Sequence, residues 1–389
     1  MHREVPLTEE EARHTERVRQ FIAADIAAAG GWISFERYMD LSLYAPGLGY
    51  YSAGARKFGA GGDFTTAPEI SVLFGACIAR QCAEVLEELP NGSIVEVGAG
   101  SGKLAVDVLR RLESLGRLPA EYAILEVSAD LRARQQARVR DCLPHLEARV
   151  RWLDGPPDSA FDGVILANEV LDALPVARFR WHASACEELG VAAGGGRFDW
   201  SARPAAAGLT EHCNLLCAAV GGWDDGYVSE YVPRLAAWTR AVVQSLRRGA
   251  ALWFDYGLPR PQYYLPERHE GTLICHFRQA ALDAPFRHPG LQDMSAWVDF
   301  TAVAEASAMA GCDLAGFTTQ AFLLAGLGID DEMRALGAAD AHAFARMANQ
   351  ARQLMLPGQM GERFKAMAWT RGFARPLSGF GQQDLRHSL

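Results

Sequence analysis

A chain of 389 residues, 49% hydrophobic and 22% charged, has the composition of a globular protein and is long enough for one elaborated domain or two. A net charge of −9, with no basic stripe interleaved with aromatics, excludes non-specific nucleic-acid binding. No apolar run reaches membrane-spanning length, so no membrane insertion is expected.

Thr8-Glu9-Glu10-Glu11 forms a capping box whose helix is predicted to run to residue 29 and stop at Gly30-Gly31. Residues 33–43 predict a second, shorter helix, followed by the aromatic, turn-rich stretch from Tyr44 to Tyr51. Gly59 to Gly62 reads as a hinge ahead of Asp63-Phe64-Thr65-Thr66-Ala67-Pro68-Glu69. Pro68 suits the first turn of a helix to residue 88, with Thr66 or Ala67 near its N-cap. Residues 1–90 are thus expected to form an N-terminal helical lid segment.

Ile94-Val95-Glu96-Val97-Gly98-Ala99-Gly100-Ser101-Gly102-Lys103-Leu104 then runs from buried strand to glycine turn to helix. The glycines let backbone approach a ligand closely, and the helix over 103–115 aims its N–H groups and positive dipole end at it. A second strand, Tyr122-Ala123-Ile124-Leu125-Glu126-Val127-Ser128, puts Glu126 near its carboxyl end. A helix over 129–141 and strands over 150–153 and 161–169 complete a core assigned to residues 91–175. Past Pro175 the period changes to strands over 176–182, 187–192 and 197–201, with Gly194-Gly195-Gly196 as a hairpin turn, so residues 176–233 read as a β-rich insertion. A helix over 234–246 leads back to a core strand at 250–257, giving a return segment of 234–257. Residues 258–299 look irregular and rich in Pro, Tyr and His, a loop expected to be functional. With a helix over 300–310 they make a substrate-side segment, 258–330. A helix over 331–354 and a strand over 364–371 fill the last segment, 331–389. The fold class is therefore α/β: a mostly parallel twisted sheet with flanking helices, an N-terminal helical lid and a β-rich insertion.

Eight cysteines without a Cys-x-x-Cys pair argue against a zinc ribbon and read as small buried thiols in a reducing compartment, and no metal site is expected. Residues 1–11 are acidic and lack an apolar signal core, which leads to a cytoplasmic expectation.

Two cofactors suit the glycine turn. Dinucleotide enzymes favour Gly-x-Gly-x-x-Gly, whereas here the third glycine comes one residue early and Glu96 precedes the turn. Ligands of open parallel sheets bind beyond the carboxyl ends of the strands. Collected there are Gly98 to Gly102, Glu126, Asn168, Glu169 and Asp255, joined by Asp63 and Glu69 if the hinge folds the lid over the edge. Such carboxylates favour a cationic sulfonium over an anionic pyrophosphate. S-adenosyl-L-methionine (SAM) is therefore the expected cofactor, held by Glu96, Gly98, Ala99, Gly100, Gly102, Glu126, Asn168 and Pro68, with Glu126 on the ribose hydroxyls.

The Glu-x-Gly-x-Gly-x-Gly form resembles the first motif of class I SAM methyltransferases, which have a Rossmann-like fold. More specifically, Gly49-Tyr50-Tyr51, Gly62 to Ser71, Ala167-Asn168-Glu169-Val170-Leu171-Asp172-Ala173-Leu174-Pro175, Trp253 to Gly257, Gly290 to Asp293, Val298 to Thr301 and Met360 to Phe364 resemble the MidA-type methyltransferases. The blocks cover about residues 44–371 in one order. The resemblance implies a SAM-dependent protein-arginine methyltransferase, and its mitochondrial members are assembly factors that methylate an arginine on a core subunit of respiratory complex I. A protein substrate of that kind is the implied partner, and an oligomer is compatible with the chain. Departures fall at His276, Gln279 and Trp297.

Arginine methylation needs carboxylates that grip the guanidinium, localise its charge and accept a proton. Glu169 and Asp172 lie three apart, on one side of any helical turn begun there, and are the first candidates. Glu69 and Asp63 come next. Asp172 as a cap of the turn before Pro175 is the competing reading, Asn168 could serve a backbone turn, and Asp255 could tie down its loop. A small-molecule O- or N-methyltransferase, a non-catalytic SAM-binding assembly factor and, more distantly, an NAD dehydrogenase remain alternatives.

Overall fold

The computed structural model describes residues 6–53, 66–182, 185–337 and 340–389. The glycine hinge and Asp63 lie outside them.

Among the described residues the core sheet has seven strands along its main path: β1 Ser93–Val97, β2 Tyr122–Leu125, β3 Val150–Leu153, β4 Phe161–Asn168, β5 Leu246–Leu258, β6 Asp313–Thr319 and β7 Phe364–Arg371. Their spatial order is β3-β2-β1-β4-β5-β7-β6, with parallel pairing from β3 through β5 and β7 antiparallel to both neighbours. The pair Val298–Asp299 adds a short parallel strand beside Gly257 and Leu258 of β5. Chain order reverses between β1 and β4, so the crevice beyond their carboxyl ends is the place where such a sheet takes a ligand. The core runs over both faces because alternate residues face opposite ways. Ile94, Ile124, Val164, Leu166, Leu252 and Phe254 pack with helices Val72–Glu88 and Lys103–Ser114 on one side. Val95, Val97, Ala123, Ile165, Ala167 and Trp253 pack with helices Leu235–Val243 and Phe300–Met309 on the other.

A second, antiparallel sheet joins Ile33–Ser34, Ala185–Gly194, Ala177–His182, Val228–Tyr231 and Arg197–Pro204. Gly194 pairs with Arg197, leaving Gly195 and Gly196 as a two-residue turn with φ of +56° and +77°, the left-handed pair a tight hairpin needs. Helix Glu9–Ala28 packs on this sheet; the Thr8 hydroxyl accepts from Glu11 N–H at 3.2 Å and Glu11 Oε2 from Thr8 N–H at 2.7 Å, closing the capping box.

Several expectations need correcting. Residues 33–43 are not one helix, because Ile33–Ser34 pairs as a strand and Ser34 then caps helix Phe35–Tyr44. The helix expected from Pro68 to residue 88 is broken: Ala67–Ile70 is a separate turn, and extended Ser71 (φ −154°) starts Val72–Glu88 by accepting from Leu73 N–H at 3.2 Å. The insertion carries an unforeseen helix, Ala207–Ala219, whose N-cap, Ala206, makes no side-chain cap bond. The stretch taken as irregular folds a small sheet from Ala280–Leu282, Ile274–Phe277 and Asp293–Ser295. Strand β6 was missed, and instead of one helix over 331–354 there are Gln320–Gly326, Ile329–Gly337 and Ala341–Met355, with Gly328 at φ +72° separating the first two.

Candidate active site

A cavity of about 530 Å³ opens at the β1/β4 crossover. The end of β1 and the turn after it supply Glu96 to Ser101, the end of β2 and the residues after it supply Leu125 to Val127, and the end of β4 and the segment after it supply Asn168 to Val170 and Asp172 to Leu174. The segment ahead of helix Val72–Glu88 adds Thr66, Pro68 and Glu69. The described candidates named from sequence thus line one cavity, save Gly102, one residue past the lining turn, and Asp255, which sits behind it; Asp63 lies outside the described residues.

The glycine turn is shaped by its sequence. Gly98 has φ +64°, and a Cβ there would meet Val170 Cγ2 at 3.2 Å, so the backbone faces the cavity bare. Gln135, fully buried in helix Ala129–Cys142, donates to Gly100 O and to Glu126 Oε2, both at 2.9 Å, while accepting from Trp152 Nε1 at 3.0 Å. One side chain therefore fixes the glycine turn relative to the β2 carboxylate. Ser128 N–H donates to Glu126 Oε1 at 2.8 Å. Sequence reasoning missed Gln135, whose signal was a polar residue on the inward face of a helix. Glu96 is buried at the foot of the cavity, accepts from Tyr122 Oη at 2.7 Å and is pushed up to about 7 by burial.

Glu69 is pinned to the glycine turn. It accepts from the Ser101 hydroxyl, and Arg138 Nη1 lies 3.6 Å from its Oε1. Its companions thus belong to the glycine turn and to helix Ala129–Cys142.

Glu169 and Asp172 share the segment after β4, but no helical turn starts there. Glu169 adopts φ +54°, an uncommon left-handed conformation for a residue with a side chain. Asp255 holds that shape: its Oδ2 accepts from Leu171 N–H at 2.9 Å and Asp172 N–H at 3.2 Å, and its Oδ1 from Tyr256 N–H at 2.9 Å. It is the tie of a loop, as one reading of the sequence had it. Burial, reinforced by Asp172, raises Glu169 to about 8, against the bond it accepts from Asn168 Nδ2 at 3.1 Å. Burial also raises Asp172 and, further still, Asp255, where both neighbouring carboxyls add to it. Three carboxyls crowded away from water hold protons more tightly than usual and release them when a cation arrives.

The far wall comes from residues that the sequence did not mark as site residues. Tyr44 and Tyr51 stack with ring centroids 5.4 Å apart. Tyr44 Oη donates to Ala173 O at 2.8 Å, Tyr51 Oη to Asp293 Oδ1 at 2.8 Å, and Ser128 Oγ to Tyr51 O at 2.6 Å. Tyr256 donates to Ser295 Oγ at 2.6 Å. His276 and Trp297, noted as departures, line the same cavity; Gln279 does not.

The residues present fit SAM. Among the described residues, six acids (Glu69, Glu96, Glu126, Glu169, Asp172 and Asp293) face the cavity against Arg363 and His276, a balance suited to a sulfonium. Asn168 Oδ1 is buried without a hydrogen-bond partner among the described residues, an acceptor that an amino group would satisfy.

A glycine turn, a β2 carboxylate and an acid-lined cavity at the switch point of this sheet order define a SAM-dependent methyltransferase. Residues 77–318 match the family described as "Putative S-adenosyl-L-methionine-dependent methyltransferase", and the chain belongs to that family, with SAM as its cofactor. Among curated relatives, the zebrafish (Danio rerio) mitochondrial protein arginine methyltransferase NDUFAF7 is 30% identical, spanning 90% of this chain and 85% of its own. The Caenorhabditis elegans homolog is 28% identical over 91% and 86%. A Burkholderia thailandensis protein solved with S-adenosyl-homocysteine bound superposes with a TM-score of 0.94 at 42% identity, covering 99% of this chain and 100% of that one. The relatives named mitochondrial overturn the cytoplasmic expectation. The acidity of residues 1–11 was the wrong guide, since the composition of so short a stretch does not fix a compartment. Among the described residues no helix is long and apolar enough to cross a membrane.

Proposed function

We propose that this protein methylates an arginine side chain of a protein substrate, with Glu169 and Asp172 as the groups that grip the guanidinium. One observation carries the reading: buried carboxyls with raised proton affinity stand beside the cofactor cavity, where a fixed cation is the natural counterpart. The names of the NDUFAF7 relatives point the same way. SAM, when bound, supplies the electrophilic methyl group, and the chain's own work is positioning and charge. Gly98, Ala99, Gly100 and Gly102 present bare backbone, Glu126 holds the ribose, and Glu96, Asn168 and Pro68 complete the cofactor wall. Glu169 and Asp172 turn one guanidinium nitrogen toward the methyl and take up the proton it loses. Asp255 keeps their loop in shape. The substrate proposed, on the MidA-type resemblance, is a subunit of the respiratory complex I kind, and the role is in that complex's assembly.

The test is transfer of tritium from labelled SAM to protein in an extract lacking the endogenous enzyme. Label recovered as methylarginine after acid hydrolysis, and lost with Glu169→Gln, is the expected result. Label confined to small molecules would replace this reading with a metabolite methyltransferase.

A further inference from the structure

Away from the cavity, two thiols are held closer than separate thiols sit. Cys186 belongs to strand Ala185–Gly194 of the second sheet, and Cys213 to helix Ala207–Ala219 packed against it. Their Sγ atoms are 2.7 Å apart. That is longer than the roughly 2.05 Å of an S–S bond but well inside ordinary sulfur–sulfur contact. Both are buried, among Phe179, Trp181, Leu209 and Leu216. The contact raises Cys213 far above an ordinary thiol. The contact with Cys186 comes first among the causes, then burial, so the reduced pair is a slow nucleophile.

We propose that Cys186 and Cys213 are a disulfide-forming pair that locks helix Ala207–Ala219 onto the second sheet. The oxidant is a small-molecule disulfide such as oxidised glutathione. One of the two thiols loses its proton and attacks a glutathione sulfur, breaking the glutathione S–S bond and releasing one glutathione thiolate. The second, deprotonated in turn, attacks the cysteine sulfur of that mixed disulfide and expels the other. Two protein thiols are oxidised, one glutathione disulfide is reduced to two thiols, and the two protons pass to the departing thiolates. The sulfurs need to close by only about 0.7 Å to reach bonding distance, so formation asks for little backbone movement. The loop closed spans a sequence separation of 27 residues, enough for the bond to restrict the unfolded chain appreciably. Cys217, one helical turn beyond Cys213 and partly exposed, and exposed Cys142 have no such neighbour among the described residues and serve as internal controls.

The experiment uses the full chain without substitution. Protein is incubated with oxidised glutathione at pH 8, denatured, alkylated without reductant and digested for mass spectrometry. A cross-linked pair carrying Cys186 and Cys213, about 2 Da lighter than the sum of the reduced peptides, is the expected product, alongside a rise in Tm of a few degrees that dithiothreitol reverses. SAM affinity is expected to stay within about twofold, because no residue of the pair lines the cofactor cavity. Full alkylation of Cys186 and Cys213, like that of the buried Cys77 and Cys82, would overturn the proposal. So would a bond from Cys213 to Cys217.

Discussion

Replacing Glu169 with glutamine should make the protein more stable at pH 8 and leave it nearly unchanged at pH 5. In the folded chain this carboxyl titrates at about 8 through burial, against 4.5 for an ordinary glutamate. Between those values the folded protein holds a proton that the unfolded chain has released. The stability that this proton contributes is complete below about 4.5 and is lost as pH climbs through 8. Glutamine is isosteric with the protonated acid, keeps an acceptor for Asn168 Nδ2 and has no proton to lose. At about 1.4 kcal/mol per pH unit, the interval sets a ceiling of roughly 5 kcal/mol on the advantage of the variant above pH 8. An unfolding entropy of about 2.1 cal/mol/K per residue over this chain turns that ceiling into roughly 6 °C. Water reaching the cavity will reduce it, so a gain of about 2–6 °C is expected. Scanning calorimetry of cofactor-free protein from pH 5 to 9 reads it as the difference between wild-type and variant Tm; relief of Asp255 from the neighbouring Glu169 charge acts in the same direction. Parallel Tm curves, or a variant less stable at pH 8, would refute the reasoning.

Catalysis should show the same carboxyl from the other side. The guanidinium grip needs Glu169 ionised, so kcat/KM for the acceptor should rise with pH, with a midpoint below 8 once the cationic cofactor is bound; a flat profile from pH 6 to 9 would contradict the assigned role. Gly98→Ala forces a side chain into a φ of +64° and against Val170, and should weaken S-adenosyl-homocysteine binding about tenfold or more by calorimetry. Tyr51→Phe removes the donor to Asp293 without touching the glycine turn; acceptor kcat/KM should fall about threefold to thirtyfold while cofactor affinity holds.

What could be read in the chain beforehand follows from the range of the interactions involved. The glycine turn, Glu126, Asn168 and Glu169 all sit at strand ends, and a strand-turn-helix pattern is a local signal. Strand β7 was legible at both ends for the same reason, being an apolar run between breakers. Ser71 was not, because its hydroxyl competes for a backbone N–H and splits what the apolar pattern presents as one helix. Helix Ala207–Ala219 lacks a capping side chain to announce it. The cavity's far wall depends on contacts such as Tyr51 with Asp293, 242 residues apart, and no local pattern carries those. The expectation of a helical turn at Glu169 failed through the tertiary strap from Asp255, 84 residues from Leu171.

The account rests on a SAM molecule laid across the β1/β4 edge with Glu126 on its ribose. Titration calorimetry of wild type and Glu126→Gln with S-adenosyl-homocysteine tests it most directly, since glutamine keeps the shape and an acceptor but not the charge that strengthens bonds to two hydroxyls. The prediction is one equivalent bound by wild type and an affinity about ten- to a hundredfold lower in the variant, a difference of about 1.4–2.8 kcal/mol. Equal affinity in the two proteins, or no uptake by wild type, would contradict it.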